Sequence, residues 1–147
     1  MYKKILVAYD RSSQSRAALT TAIEMLDCKM AENVIILSVI DNHEDDPTFE
    51  IAARIAGLID DPTPLEDKTP LVELETSLVE LIKDHDAQCE TLVMRGKAAD
   101  VIVNAARDYG CDLIMMGRRG VGALQSVMGS VSTAVLRNSE LPVLVTR

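Results

Sequence analysis

The chain has 147 residues, 48% of them hydrophobic, a formal net charge of −8, and only three Tyr, one Phe and no Trp. That length suits one domain over residues 1–147 with an aliphatic core, and the composition excludes a disordered chain. The acidic balance speaks against nucleic acid as a partner, because duplex binding needs a basic face.

Apolar runs such as LIMM and VIIL are too short to cross a bilayer, so no membrane partner is expected. Met1 is followed by YKKILVAYD, which lacks the apolar stretch and cleavage site of a secretory signal. Cys28, Cys89 and Cys111 are widely spaced with no CxxC, which argues for reduced thiols in a cytoplasm and against zinc or disulfides. His43 and His85 stand in polar surroundings and are expected to be solvated. Nine acids between Asp41 and Asp67 read as a solvated flap.

In chain order, KILVAY (4–9) is an apolar run of β-formers ending at Asp10. RSSQS supplies N-cap candidates for a helix in which Ala18, Ala22, Ile23 and Leu26 recur at helical spacing. NVIILSVI (33–40) is a second strand, and runs this continuously apolar imply a parallel sheet covered on both faces. Residues 47–59 suit a short helix, and the proline-rich 60–70 a loop. An amphipathic helix is expected over 71–85, with Leu71, Leu74, Leu78, Leu81 and Ile82 on one stripe. A strand (88–95), a helix (99–110) ended by Gly110 in the left-handed conformation, and a strand (112–116) follow. A last helix (130–138) starting at Ser130 and a last strand (141–147) complete the alternation. Strands alternating with helices define an α/β sandwich, and ligands of such sheets bind at the carboxyl ends of the strands where their order reverses.

Of the seven glycines, Gly117, Gly120, Gly122 and Gly129 fall within residues 115–130. A P-loop fails there, since Ala123 and Leu124 stand where Lys and Ser/Thr belong. A dinucleotide fingerprint starting at Gly120 fails at Gln125. The remaining pattern is GRRG, a short arm, and a Gly-Ser that opens a helix.

That pattern, with KKILVAYDRSSQSRAAL, VIILSVID, GKAADVIVNAARDYGCDLIMMG and LPVLV, resembles the universal stress protein family over nearly the whole chain. The resemblance implies a Rossmann-like, adenine nucleotide alpha hydrolase-like fold. Its five-stranded, parallel, doubly wound sheet has order 3-2-1-4-5 and helices on both faces. It also implies ATP with Mg2+ in the crevice between the first and fourth strands. Residue by residue, Ala8, Tyr9 and Asp10 match the segment that meets the adenosine, and Val39 the residue whose backbone meets the adenine. Met116, Gly117 and Gly120 match the ribose and phosphate side, and Gly129, Ser130, Val131 and Ser132 the phosphate cradle. Free amides and the positive dipole end at that helix start suit an anion. Gly129→Val is expected to block binding by obstructing the approach and disfavouring φ > 0.

The chain departs from the family pattern in two places. Eight residues, rather than nine, separate Gly120 from Gly129, and Arg11 stands where the family often has Gly. Plainer readings stand beside the ligand roles. Asp10 is also an Asx-type helix starter, and Ser130 an N-cap worth about 1 kcal/mol. Arg118 and Arg119 read as solvated side chains, and Met115, Met116 and Met128 as packing. The expected function is an ATP-binding regulatory protein of the stress response, not an enzyme. It is expected to form a homodimer through the C-terminal strand (142–146), whose exposed edge needs cover. The alternatives are a dimeric interaction protein that binds no nucleotide, and an ATP hydrolase, for which no base, lysine and metal carboxylate come together.

Overall fold

The computed structural model describes residues 1–40, 76–118 and 128–147. The expected helix at 47–59, the loop at 60–70 and residues 71–75 lie outside that range. In chain order the elements are β1 (Tyr2–Ala8), α1 (Ser13–Asp27), β2 (Ala31–Ile40), α2 (Thr76–Ile82) with a 3-10 turn (Lys83–His85), β3 (Cys89–Arg95), α3 (Ala98–Asp108), β4 (Leu113–Gly117), α4 (Ser130–Asn138) and β5 (Val143–Thr146). All four strand pairings are parallel, and the sheet order is β3-β2-β1-β4-β5.

Alternation along the inner strands builds two cores. Ile5, Val7, Val34, Ile36 and Met115 point to one face and pack with Ala18, Leu19, Ala22 and Ile23 of α1. Leu6, Ile35, Leu37, Ile114 and Met116 point to the other and pack with Ile102 and Ala106 of α3 and Val135 of α4. Burying each large aliphatic side chain contributes about 1.5–3 kcal/mol, which sets the strands and not the loops as the stable frame. The doubly covered parallel sheet expected from the apolar runs is therefore the observed one.

Helices α1 and α3 end in the same motif. The Lys29 and Gly110 amides donate to Leu26 O (3.0 Å) and Arg107 O (3.1 Å), and those of Met30 and Cys111 to Met25 O and Ala106 O (both 2.8 Å). This pairing needs a left-handed residue after the cap, and Gly110 (φ 68°) supplies it as expected, whereas at α1 it is Lys29 (φ 56°). Arg11 also has a positive φ, 67°. A conformation that glycine adopts freely is thus held by arginine at this position.

His85 departs from the expected solvated histidine. Its side chain is only 13% exposed, and Nε2 lies 2.9 Å from Asp27 Oδ1. The stripe Leu78, Leu81 and Ile82 packs against the α1 core and brings the following turn with it. His43 lies outside the described residues. The three cysteines are free thiols, and burial pushes the thiols of Cys89 and Cys111 up to about 11. Among the described residues no helix is long and apolar enough to cross a membrane.

Candidate functional site

Strands β1 and β4 are neighbours, and the helices that follow them, α1 and α4, pack on opposite faces of the sheet. A cavity of about 320 Å³ opens at their carboxyl ends. Ten of the eleven residues singled out from the sequence line it: Ala8, Tyr9 and Asp10 after β1, Val39 on β2, Met116 and Gly117 on β4, and Gly129, Ser130, Val131 and Ser132 at the start of α4. Gly120 lies outside the described residues. Four lining residues escaped the sequence reading: Ser15, Leu37, Ala98 and Ile102.

One side of the cavity is an apolar bay of Ala8, Leu37, Val39, Ile102 and Met116. The pleat explains Leu37, which lies two residues before Val39 and so on the same face. Ala98 and Ile102 lie one helical turn apart on α3.

The other side is polar, and its two helix starts differ. Ser12 caps α1 by accepting the Ser15 amide (3.1 Å), while Asp10 Oδ1 accepts the Ser12 amide (2.9 Å). The Asx reading of Asp10 is therefore correct as geometry, and Asp10 also lines the cavity. Helix α4 is capped by Gly129, which has no side chain to offer. Its first turn begins with the Thr133 amide donating to Gly129 O (3.0 Å). The Ser130, Val131 and Ser132 amides have no hydrogen-bond partner among the described residues, as at any helix start without a capping side chain.

Two expectations are corrected here. Gly129 has φ −63° and ψ 155°, so its glycine is not required by a positive φ. Ser130 is not the cap, because Gly129 supplies the first helical carbonyl; Ser130 follows it with an exposed side chain. Ser132 is 98% hidden, and its hydroxyl is already engaged, 2.7 Å from Arg118 O and 3.0 Å from Gly129 O. The Gly129 amide donates to the same Arg118 carbonyl (2.9 Å), so the end of β4 carries the start of α4.

Gly117 has a steric reason of its own. A Cβ there would lie 2.6 Å from Gln14 Cβ and 2.9 Å from the backbone of Gln14 and Ser15. Helix α1 therefore approaches β4 so closely that only glycine fits. Met115 is fully buried core, Met116 both packs and lines the cavity, and Met128 is half-buried. Among the described residues no cluster of three carboxylate, histidine or cysteine groups could hold a metal ion.

A doubly wound sheet with a cavity at its order reversal, bounded by an apolar bay and a helix start without a capping side chain, is the architecture of an α/β fold whose ligands bind at that reversal. A profile of the Universal stress protein family matches residues 1–147, and the chain belongs to that family. It is 33% identical over 156 residues to Universal stress protein MJ0577 of Methanocaldococcus jannaschii, covering 100% of this chain and 96% of the other. The solved structure of MJ0577 superposes with a TM-score of 0.70, covering 99% and 96% of the two chains. Universal stress protein YxiE of Bacillus subtilis is 30% identical over 154 residues, covering both chains fully. A universal stress protein of Archaeoglobus fulgidus in complex with dAMP shares the fold at 23% identity, with a TM-score of 0.65 over 99% and 98% of the chains.

Proposed function

We propose that the chain is a single-domain, cytoplasmic, ATP-binding regulatory protein of the stress response, without catalysis of its own. One observation carries this reading: the uncapped start of α4 faces the same cavity as the apolar bay. A flat, largely apolar base suits the bay, and phosphate suits the amides of Ser130 to Ser132 and the positive end of the helix dipole. Asp10 and Val39 would meet the nucleoside, and Met116, Gly117 and Gly120 the ribose and phosphate side. Mg2+ would arrive on the phosphates, since it keeps much of its water and needs few protein ligands. That an Archaeoglobus relative holds dAMP supports an adenine nucleotide in this fold.

A regulatory rather than catalytic role rests on the lining. Asp10 and Tyr9 are the ionisable side chains among the described lining residues, with neither lysine nor histidine beside them to act on a phosphoryl group. For assembly we propose a homodimer through residues 142–146. Strand β5 is a sheet edge with Leu144 37% exposed, and Leu136 on the neighbouring helix is 44% exposed. Edges of this kind are covered in native proteins.

Calorimetric titration of the full chain with MgATP tests the function, alongside light scattering for dimer mass and labelled ATP for turnover. Saturable binding without turnover is expected. A dimer that takes up no nucleotide would establish the alternative, an interaction protein of the same fold.

A further inference from the structure

Thr146, the last residue of β5, lies outside the cavity but touches the support of both its walls. Its hydroxyl donates to Gln14 O in the first turn of α1 at 2.8 Å, with Met116 O a more distant acceptor at 3.4 Å. Its carbonyl accepts the Arg118 amide at 2.7 Å. The Arg118 carbonyl in turn holds the Gly129 amide and the Ser132 hydroxyl. Hydrogen bonds linked through the backbone of Thr146 and Arg118 therefore connect the α1 wall to the Gly129 amide and the Ser132 hydroxyl at the start of α4. The Gln14 carbonyl that Thr146 holds belongs to the residue against which Gly117 packs.

We infer that Thr146 is a positioning residue which fixes the span between the α1 wall and the α4 wall, and so sets how well the α4 amides meet a phosphorylated ligand. This rests on the reading of the cavity as a nucleotide site. A hydrogen bond needs its donor and acceptor near 2.9 Å, so a small drift of one wall costs the phosphate contacts while leaving the apolar bay intact. The residue is also well placed to report on the sheet edge, because β5 carries it.

The test compares Thr146→Val, which keeps shape and strand preference but loses the hydroxyl, with Thr146→Ser, which keeps the hydroxyl. Titration with MgATP and with adenosine, on proteins of matched urea stability, separates phosphate contacts from general damage. Thr146→Val is expected to weaken MgATP by about fivefold, the effect of one net hydrogen bond. Adenosine should stay within about twofold, and Thr146→Ser should bind like wild type. In ligand-free protein the Arg118 amide of the valine variant should exchange its hydrogen faster, with wild-type protection regained by the serine variant. Equal loss of both ligands, or unchanged MgATP affinity, would overturn the inference. Should wild type bind no nucleotide, the proposed function fails and the ligand part of the inference with it; Arg118 exchange then decides the span alone, faster exchange upholding it and unchanged exchange overturning it.

Discussion

Helices α1 and α4 both begin at the carboxyl end of the sheet, yet one start carries a capping side chain and the other does not. At α1, Ser12 and Asp10 accept backbone amides that would otherwise point at solvent or ligand. At α4 the capping position holds Gly129, and the corresponding amides have no side chain to receive them. The difference teaches what a glycine cap accomplishes when its φ is ordinary. A Ser or Asp in that place would satisfy the helix internally; the glycine leaves the donors for something else.

The strongest way to break this contrast is to close α4. Gly129→Asp fits the observed φ and ψ, adds an acceptor for the first-turn amides, and should raise stability by about 0.5 kcal/mol. The same carboxylate would compete with phosphate and repel it, and MgATP affinity should fall by at least about 100-fold. Calorimetry and urea melts on one preparation would show the two quantities moving in opposite directions. If affinity holds, the open amides are not the anion site.

Gly117→Ala tests the other wall. With its Cβ 2.6 Å from Gln14 Cβ, α1 must move off β4, at a cost of about 2 kcal/mol in urea unfolding. A stability unchanged within error would mean that α1 can give way freely.

The third test concerns the arm that delivers α4. Insertion of one Leu after Met128 gives the nine-residue spacing that the resemblance led one to expect, and its effect on MgATP affinity should stay under about tenfold. Creation of tight binding in a chain that otherwise binds nothing would show that the short arm disables the site.

Smallest is Ser12→Ala, which opens α1 without supplying a ligand. It should cost about 1 kcal/mol of stability and leave MgATP affinity nearly unchanged, again by urea melt and calorimetry. A large loss of affinity would place the α1 start in the binding surface.

Much of this was legible beforehand, for identifiable reasons. Continuous apolar runs announce strands covered on both faces, and the β1–β4 cleft follows from the resemblance at Asp10 and the Gly117–Ser132 region. Leu37 could have been found by stepping back two residues from Val39, whereas Ala98 and Ile102, one helical turn apart, had no marked neighbour on α3 to lead to them. Ser15 could not have been found either, because it reaches the cavity through the capping turn at Ser12, a three-dimensional arrangement. For Gly117 and Gly129 the sequence did not reveal the local geometry: Gly117 answers to the approach of α1, and Gly129 caps α4 with an ordinary φ and no side chain. Pairing of His85 with Asp27 joins residues 58 positions apart, and local polarity could not reveal it.

The two cores of the sheet also divide the chain's tolerance of change. Leu37, Ile102 and Met116 belong at once to the α3–α4 core and to the cavity. Substitutions there alter the fold and the cavity wall together. Leu19, Ala22, Ile23 and Val34 belong to the α1 core and none of them lines the cavity. That half of the interior is free to drift through volume-conserving exchanges such as Ile for Leu. Over many generations the two faces of one sheet should therefore accumulate change at different rates, the α3–α4 face recording the shape of the cavity and the α1 face, apart from Tyr9, recording the need to stay folded.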